Sequence, residues 1–280
     1  MALSIGGGAS NHRVIANMRK TSNLMSKAME RISSGLKINS AVDDAGGLAM
    51  GMKLSLETKI AENVQNSVDS VKSLVSAQST ALMSAEDIIA EMQTVKSEYD
   101  AAVDGSSEQG ALQEEFNSLR GQLTTISQEK FNNNSLFGST DGDTSYNVST
   151  TSDGTGVIEV GKLNLNSGDF EDLKTADIST LDSGEMDTLL EGAYNQVTSE
   201  LSRAAGKESS LGFASSYLES KAVNLEAARS RVMDADLVEE STNLSKYTMQ
   251  YEASAAAIAQ ANATQQTVME LLLFPTQKKY

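Results

Sequence analysis

The chain has 280 residues, of which 39% are hydrophobic and only 5% are aromatic, and its single proline is Pro275. This composition gives a thin core for a compact globule, and nothing before Pro275 prevents very long helices. A net charge of −16 argues against a nucleic-acid partner, and the lack of cysteine excludes disulfides and thiolate chemistry.

The N-terminal segment lacks the pattern of a secretory signal peptide, since residues 1–8 have neither a basic leader nor a sustained apolar core. No apolar run in the sequence approaches the ~18 residues of a membrane span, so we expect no membrane insertion. These signals alone predict a soluble cytoplasmic protein, unless export uses a route without a cleaved signal. Residues 1–40 carry six basic residues against Glu30 alone, and this basic arm suits either an acidic surface of a like subunit or a solvated helix face.

A first helix is predicted by apolar residues with a 4,3,4,3,4 spacing, which is typical of a packed seam. The seam, allowing for one threonine, consists of Val14, Met18, Thr21, Met25, Ala28 and Ile32. Gly35 suits the left-handed conformation that ends a helix, and Asn39 with Ser40 carries the turn. Asp43 and Asp44 place acceptors at the start of a second helix.

The second helix is predicted from about residue 43 to about residue 102 by a similar apolar stripe. Small residues at its start predict the close approach of another backbone. They are Ala45, Gly46, Gly47 and Ala49. A third helix follows through 112–126, and the short loop before it predicts antiparallel neighbours.

The central segment 131–168 is rich in turn signals and is the only β region that we expect. Strand-like runs at 146–150 and 157–160 flank Asp153-Gly154, which is a hairpin signal. Helical spacing resumes at Met186 and continues to Val232, where Ala205-Gly206 is either a kink or a tolerated glycine.

A final helix through Leu237–Leu272 gives the chain a second apolar terminal seam. The predicted fold is therefore mainly α: an elongated antiparallel helical bundle or coiled coil, formed by the N- and C-terminal regions, with a small central β-hairpin region. We expect residues 1–42 and 237–280 to form a terminal coiled-coil domain. Residues 43–236 are expected to form a rod-like helical domain, with the hairpin and loops at about 131–178.

No catalytic, cofactor-binding or metal-binding residues are predicted. His12 has no base or ligand partner within reach in the sequence, and 141–144 lacks the glycine and glutamate of a calcium loop. Four carboxylates near the last helix are better explained as caps and first-turn charges. They are Asp234, Asp236, Glu239 and Glu240.

Two segments of the sequence resemble the signatures of the bacterial flagellin family. The segment 30–41 with 43–45 is similar to the N-terminal signature, and 228–236 resembles the C-terminal one, followed by similar residues at 243–245 and 259–262. Phe131-Asn132 resembles the point where flagellins leave the third helix. The resemblance covers about residues 1–137 and 180–272.

This resemblance implies a structural subunit of the bacterial flagellar filament, exported unfolded through the flagellar type III apparatus and assembled outside the cell as a homopolymer. It also implies a flagellar export chaperone, hook-associated junction proteins and a distal cap as partners. The implied subunit interface is the seam of the terminal helices, at Val14, Met18, Met25, Ile32, Leu244, Tyr251, Ile258, Val268 and Leu272. The implied helix-junction motif consists of Arg31, Gly35, Asn39, Asp43 and Asp44.

The chain also departs from the family pattern. Its middle, about 138–178, is too short for large outer domains, so we expect a hairpin and loops on the filament exterior. Residues Met92, Gln93, Thr94, Val95 and Lys96 align with the region that the innate Toll-like receptor for flagellin recognises. Thr94 stands where an arginine is usual, so weak engagement of that receptor is expected. The segment 274–280 extends past the usual apolar ending.

Hydroxyl side chains in the central region could carry O-linked sugars, as in some flagellins, or remain unmodified. They are Ser139, Thr140, Ser149, Thr150, Thr151 and Ser152. Two alternatives to a filament subunit stay open at this point. One is a hook-filament junction protein with the same terminal architecture, and the other is a secreted coiled-coil adhesin or effector.

Overall fold

A computed structural model describes residues 7–139, 146–151 and 153–273. The helices in this part of the chain are α1 (Gly7–Ser34), α2 (Ala45–Ala101), α3 (Ser107–Ser127), α4 (Asp169–Thr175), α5 (Ser183–Met233) and α6 (Leu237–Leu273). The strands are β1 (Lys130–Phe131), β2 (Asn134–Ser135), β3 (Phe137–Gly138), β4 (Tyr146–Ser149), β5 (Val157–Val160) and β6 (Leu163–Asn164). The predicted mainly α fold with a small central β region is confirmed. No described helix is long and apolar enough to cross a membrane.

The chain divides into two compact units, which we describe separately. The terminal unit consists of residues 1–55 and 225–280, and the central unit consists of residues 56–224. The sequence predicts boundaries at about residues 42 and 237 for the inner and rod-like domains. That division stays a prediction.

The hydrophobic core lies in the central unit, between α2, α3, α5 and the β region. Its largest fully buried side chains include Phe116, Phe137, Phe170, Leu82, Ile89 and Met92. Burial of this many apolar side chains is the main source of stability for such a unit. The central unit therefore has a core of its own.

Two glutamines, the buried Gln78 and the half-buried Gln196, bind the central segment to the long helices. Gln78 of α2 donates from Nε2 to the carbonyls of Leu136 (2.9 Å) and Gly161 (3.3 Å). Gln196 of α5 donates from Nε2 to the carbonyls of Asn164 and Ser167, both at 2.9 Å. Loop carbonyls buried against a helix need such donors, because an unpaired buried carbonyl costs free energy.

The predicted hairpin is present, as β4 and β5 pair antiparallel with Val148 opposite Ile158. The sequence predicted one hairpin, whereas the structure has two further strand pairs. A second hairpin joins β1 and β2 through Asn132 and Asn133, whose φ values are 50° and 65°. Strands β3 and β6 form a parallel pair. These two-residue strands are too short to show alternation in the sequence.

Helix α4 was also missed, because 131–178 was expected to contain only a hairpin and loops. Phe170 and Leu173 of this seven-residue helix are completely buried. The backbone N–H of Phe170 donates to Gln196 Oε1 at 3.2 Å. So short a helix depends on these tertiary contacts, since isolated helices of this length are unstable. Further along, α5 continues through Gly206, which is tolerated within it.

Candidate assembly interface

The terminal unit is built on the pairing of α1 with α6. Arg31 lies opposite Glu240, and Met25 lies opposite Thr248, whose hydroxyl is 3.8 Å from the Met25 sulfur. Since the residue numbers rise along one helix as they fall along the other, the two helices are antiparallel. Among the side chains of α1 that are described, those of Ala28 and Thr21 are buried, and both residues belong to the predicted seam.

The pairing covers the predicted seam only in part. Apart from the buried Thr21 and Ala28, its members with described side chains are half-buried: Val14, Met18, Met25, Ile32, Leu244, Tyr251 and Ile258. Val268 and Leu272 lie on the helical backbone of α6, but their side chains are outside the described residues. Two helices alone therefore leave the seam incompletely buried.

Further apolar side chains of α1 and α6 are largely exposed. They include Met29 (52%), Val238 (77%), Met249 (67%) and Met269 (59%). Large exposed apolar side chains favour contact with other chains, because their burial releases about 25 cal/mol per Å². These exposed apolar side chains make the pair a candidate assembly surface.

The junction between α1 and α2 brings the five residues of the predicted junction motif to one place. Gly35 ends α1 with a φ of 72°, a conformation that suits glycine. Asp44 caps α2, since its Oδ1 accepts from the Gly47 N–H at 2.9 Å. Asp43 instead binds the turn before it, where its Oδ2 accepts from the Ser40 N–H at 3.2 Å and from Asn39.

Asp43 also pairs with Lys27 of α1 at 2.6 Å. The hydrogen bond from the Lys27 ammonium, with further help from Ser40, lowers the pKa of Asp43 to about 2. A carboxyl whose pKa falls on folding stabilises the fold above its ordinary pKa and loses that effect as the pH drops toward the lowered value. The contribution of Asp43 is therefore complete at neutral pH and is lost between about pH 4 and pH 2.

The small residues at the start of α2 admit side chains, which corrects the expectation that another backbone packs against them. A Cβ at Gly47 would lie 2.5 Å from Cδ1 of Ile38 and 2.6 Å from Oδ2 of Asp44. A Cβ at Gly51 would collide with the side chain of Met233. These glycines allow α2 to begin against the turn and against the end of α5.

The junction between α5 and α6 contacts the α1–α2 junction through main-chain hydrogen bonds. The Lys37 N–H donates to the Met233 carbonyl at 2.6 Å, and the Ala235 N–H donates to the Gly35 carbonyl at 2.9 Å. Asp236 caps α6, with its Oδ1 accepting from the N–H groups of Val238 and Glu239. Both family-like signature segments thus meet in one small bridge.

One ion pair near this bridge was missed by sequence reasoning. Arg31 Nη1 lies 2.9 Å from Glu240 Oε1, and the two side chains are 29% and 11% exposed. Glu240 was expected to serve only as a first-turn charge of α6. The two residues are 209 positions apart, so no local pattern in the sequence indicates their contact. The one available signal is that a glutamate on a largely covered helix face needs a positively charged partner.

Replacing Arg31 with methionine should destabilise the α1–α6 pair by about 1–3 kcal/mol, because Glu240 would keep its charge without its partner. Hydrogen exchange along α1 and α6 measures the change. Arg19→Met removes an exposed arginine of the same helix and should stay within about 0.5 kcal/mol of the parent. Equal exchange rates in the two variants would show that the ion pair contributes nothing.

Residues 92–96, which align with the receptor-recognised region, lie on α2 in the central unit. Met92, Val95 and Lys96 are buried, so Gln93 and Thr94 are the members that face outward. Burial lowers the pKa of Lys96, but its ion pairs with Asp100 and Asp187, both at 2.6 Å, outweigh that effect and raise the pKa above its usual value. Lys96 thereby joins α2 to α5.

The predicted glycosylation residues are placed unevenly. Ser139 is exposed, while Ser149, Thr150 and Thr151 are half-buried around the hairpin. The hydroxyl of Ser149 donates to the Thr151 carbonyl at 2.9 Å. Thr140, Ser152 and the tail 274–280 lie outside the described residues, and modification at any of these positions stays a prediction.

Within the described ranges, no group of three or more His, Asp or Glu side chains is placed to hold a metal ion. The main clustered charges here are the ion pairs described above, which join helices to one another.

Comparison with known families shows which family the chain belongs to. The bacterial flagellin N-terminal helical region matches residues 9–141, and the bacterial flagellin C-terminal helical region matches residues 188–272. The chain belongs to the bacterial flagellin family. The matched regions of this flagellin include most of α1, most of α6 and both junctions.

Similar proteins match this flagellin over most of its length. The flagellin of Halalkalibacterium halodurans is 29% identical, with 91% of this chain and 94% of that protein covered. The flagellin of Bacillus subtilis is 27% identical, with 94% and 99% covered. The flagellar filament 33 kDa core protein of Treponema phagedenis is 25% identical, with 88% and 91% covered.

Proposed function

We propose that this flagellin assembles through α1 and α6, which form the contact surface between subunits of the filament. The chain is a structural subunit of an extracellular bacterial flagellar filament, and we assign it no catalytic activity. The observation that carries the proposal is the incomplete burial of the terminal seam, together with the exposed Met29, Val238 and Met249 on the same two helices.

Assembly would bury the faces of the seam that the single subunit leaves open. A buried Leu, Ile or Met side chain contributes about 1.5–3 kcal/mol, so several such contacts per subunit hold a polymer together. We propose that residues 1–42 and 237–280 form the inner coiled-coil domain of the filament. Residues 43–236 form the surrounding rod-like domain, with the central hairpin on the exterior.

Export and assembly call for further partners, which we propose from the family resemblance. A flagellar export chaperone would hold α6, whose apolar face is half-buried even when it is paired with α1. Hook-associated junction proteins would bind the base of the filament, and a distal cap would bind its tip. The family resemblance also leads us to propose export through the flagellar type III apparatus.

Neither alternative is favoured. Two relatives that match most of the chain are named flagellins, and a third is named a flagellar filament core protein. Elongation of filament seeds by purified monomer tests the proposal directly. A filament subunit elongates the seeds after heat depolymerisation, whereas an adhesin or effector leaves their length unchanged.

Weak engagement of the innate Toll-like receptor remains the expectation for the exposed face of α2. Thr94 is exposed and its hydroxyl donates to the Ala90 carbonyl of its own helix at 3.3 Å. Thr94→Arg should raise receptor activation by roughly tenfold or more, since a charged bidentate donor adds strong hydrogen bonds. A cell reporter assay measures this.

Gln93→Arg is the matched control, because it adds the same charge at the neighbouring exposed position. It should leave activation close to that of the parent chain. Full potency of the unmodified chain in the same assay would overturn the expectation.

A further inference from the structure

The methionines of this chain are concentrated in the terminal unit. Nine of the twelve lie there, although that unit has only about two fifths of the residues. They are Met1, Met18, Met25, Met29, Met50, Met52, Met233, Met249 and Met269. The chain has no cysteine and no tryptophan, so the methionine thioether is its most readily oxidised side chain. The unit that the proposed assembly uses is therefore also the unit richest in oxidisable groups.

Solvent reaches most of these thioethers in the single subunit. Five methionines of the terminal unit are between 52% and 67% exposed: Met29, Met50, Met52, Met249 and Met269. In the central unit, Met83 is 47% exposed, whereas Met92 and Met186 lie in the core and are 0% and 1% exposed. Susceptibility to an oxidant follows exposure. Oxidation of the folded monomer should therefore begin mainly in the terminal unit and leave the core methionines intact.

We infer that a two-electron oxidant such as hydrogen peroxide modifies the exposed methionines of the free monomer and thereby blocks its assembly. Peroxide transfers one oxygen atom to the sulfur, which loses two electrons and becomes a sulfoxide. The O–O bond of the peroxide breaks, and its second oxygen leaves as water. Each reaction replaces a flexible apolar side chain by a polar one.

The effect on assembly comes from Met29, Met249 and Met269, the exposed methionines of the α1–α6 pair. This inference rests on the proposed assembly, in which neighbouring subunits bury that pair. A sulfoxide oxygen accepts hydrogen bonds, and an apolar contact offers it no donor, so its burial costs free energy instead of releasing it. Assembly would shield the same thioethers from solvent. The modification therefore acts on the monomer before it joins the filament.

The test treats the full-length monomer with hydrogen peroxide and measures both the chemistry and the assembly. Peptide mass spectrometry locates each added oxygen atom, and elongation of filament seeds gives the critical concentration. We expect oxygen at Met29, Met249 and Met269 before Met92 and Met186, and a critical concentration that rises roughly tenfold or more. Circular dichroism, at a dose that leaves Met92 and Met186 unmodified, checks that the central unit stays folded.

The triple variant Met29→Leu/Met249→Leu/Met269→Leu keeps the apolar volume at these positions and removes their oxidisable sulfur. It should elongate seeds as the parent does before treatment and stay within about threefold of that value after treatment. Methionine sulfoxide reductases A and B should restore elongation by the oxidised parent, because they return the sulfoxides to thioethers. This second measurement needs no substitution in the chain.

The variant Met50→Leu/Met52→Leu/Met83→Leu is the matched control, since it removes three exposed methionines of α2 and leaves the α1–α6 pair unchanged. It should keep the full peroxide sensitivity of the parent. Equal sensitivity of the two triple variants would overturn the inference. An unchanged critical concentration of the oxidised parent would overturn it as well, and so would a failure of the reductases to restore elongation.

Failure of the untreated parent chain to elongate seeds is a separate result. It would refute the proposed function, and with it the inference that depends on that function. Elongation by the untreated parent, together with unchanged elongation after oxidation, would refute the inference alone.

Discussion

A chain without residues 1–40 is expected to form no filaments while its central unit stays folded. The deletion removes α1, and with it the partner of α6 and half of the terminal seam. The core is unaffected, because its buried cluster lies between Ala61 and Ala222. Electron microscopy and circular dichroism measure the two outcomes.

Deletion of residues 238–280 should have the same effect, since it removes nearly all of α6. Deletion of only 274–280 leaves both helices in place and is the matched control, for which we expect filaments. Normal filaments from either of the long deletions would show that the terminal helices are dispensable for assembly.

Phe116→Ala should destabilise the central unit by about 3–5 kcal/mol, the second large effect that we expect. Phe116 of α3 is fully buried, and truncating such a side chain loses its transfer free energy and leaves a cavity. Urea unfolding followed by circular dichroism measures the change in the free energy of unfolding.

Phe213→Ala is the control within the same unit, because Phe213 is largely exposed in the monomer. It should change the free energy of unfolding by no more than about 0.5 kcal/mol. If the two substitutions had equal effects on the isolated monomer, the assignment of Phe116 to the core would be wrong.

The long helices were predictable because their signals repeat over many turns. The apolar stripe through α2 is a local property of the sequence. So are Gly35, which ends α1, and Asp44, which caps the start of α2. The hairpin of β4 and β5 was likewise marked by Asp153-Gly154. These features depend on neighbours within a few residues, which a sequence displays directly.

Features that depend on distant residues could not be predicted. Helix α4 is short and exists because Phe170 and Leu173 find the core and Gln196 binds the Phe170 N–H. The parallel pair of β3 with β6 joins residues some 26 positions apart. No local pattern specifies such pairings, since tertiary context overrides weak propensity.

The candidate interface was predictable in part for the same reason. The 4,3,4,3 spacing identified the seam residues Met18, Met25 and Ile32, but it could not tell how much of the seam the partner helix would cover. The bridge between Gly35 and Ala235 and the ion pair of Arg31 with Glu240 both join segments about 200 residues apart. Only the folded chain shows that the two signature segments meet.

Cryo-electron microscopy of filaments assembled from the purified chain tests the central claim most directly. We predict a helical tube in which α1 and α6 are buried between subunits, with Met29, Val238 and Met249 in contact with neighbouring copies. A filament in which these three side chains face solvent, held together by other surfaces, would contradict the account.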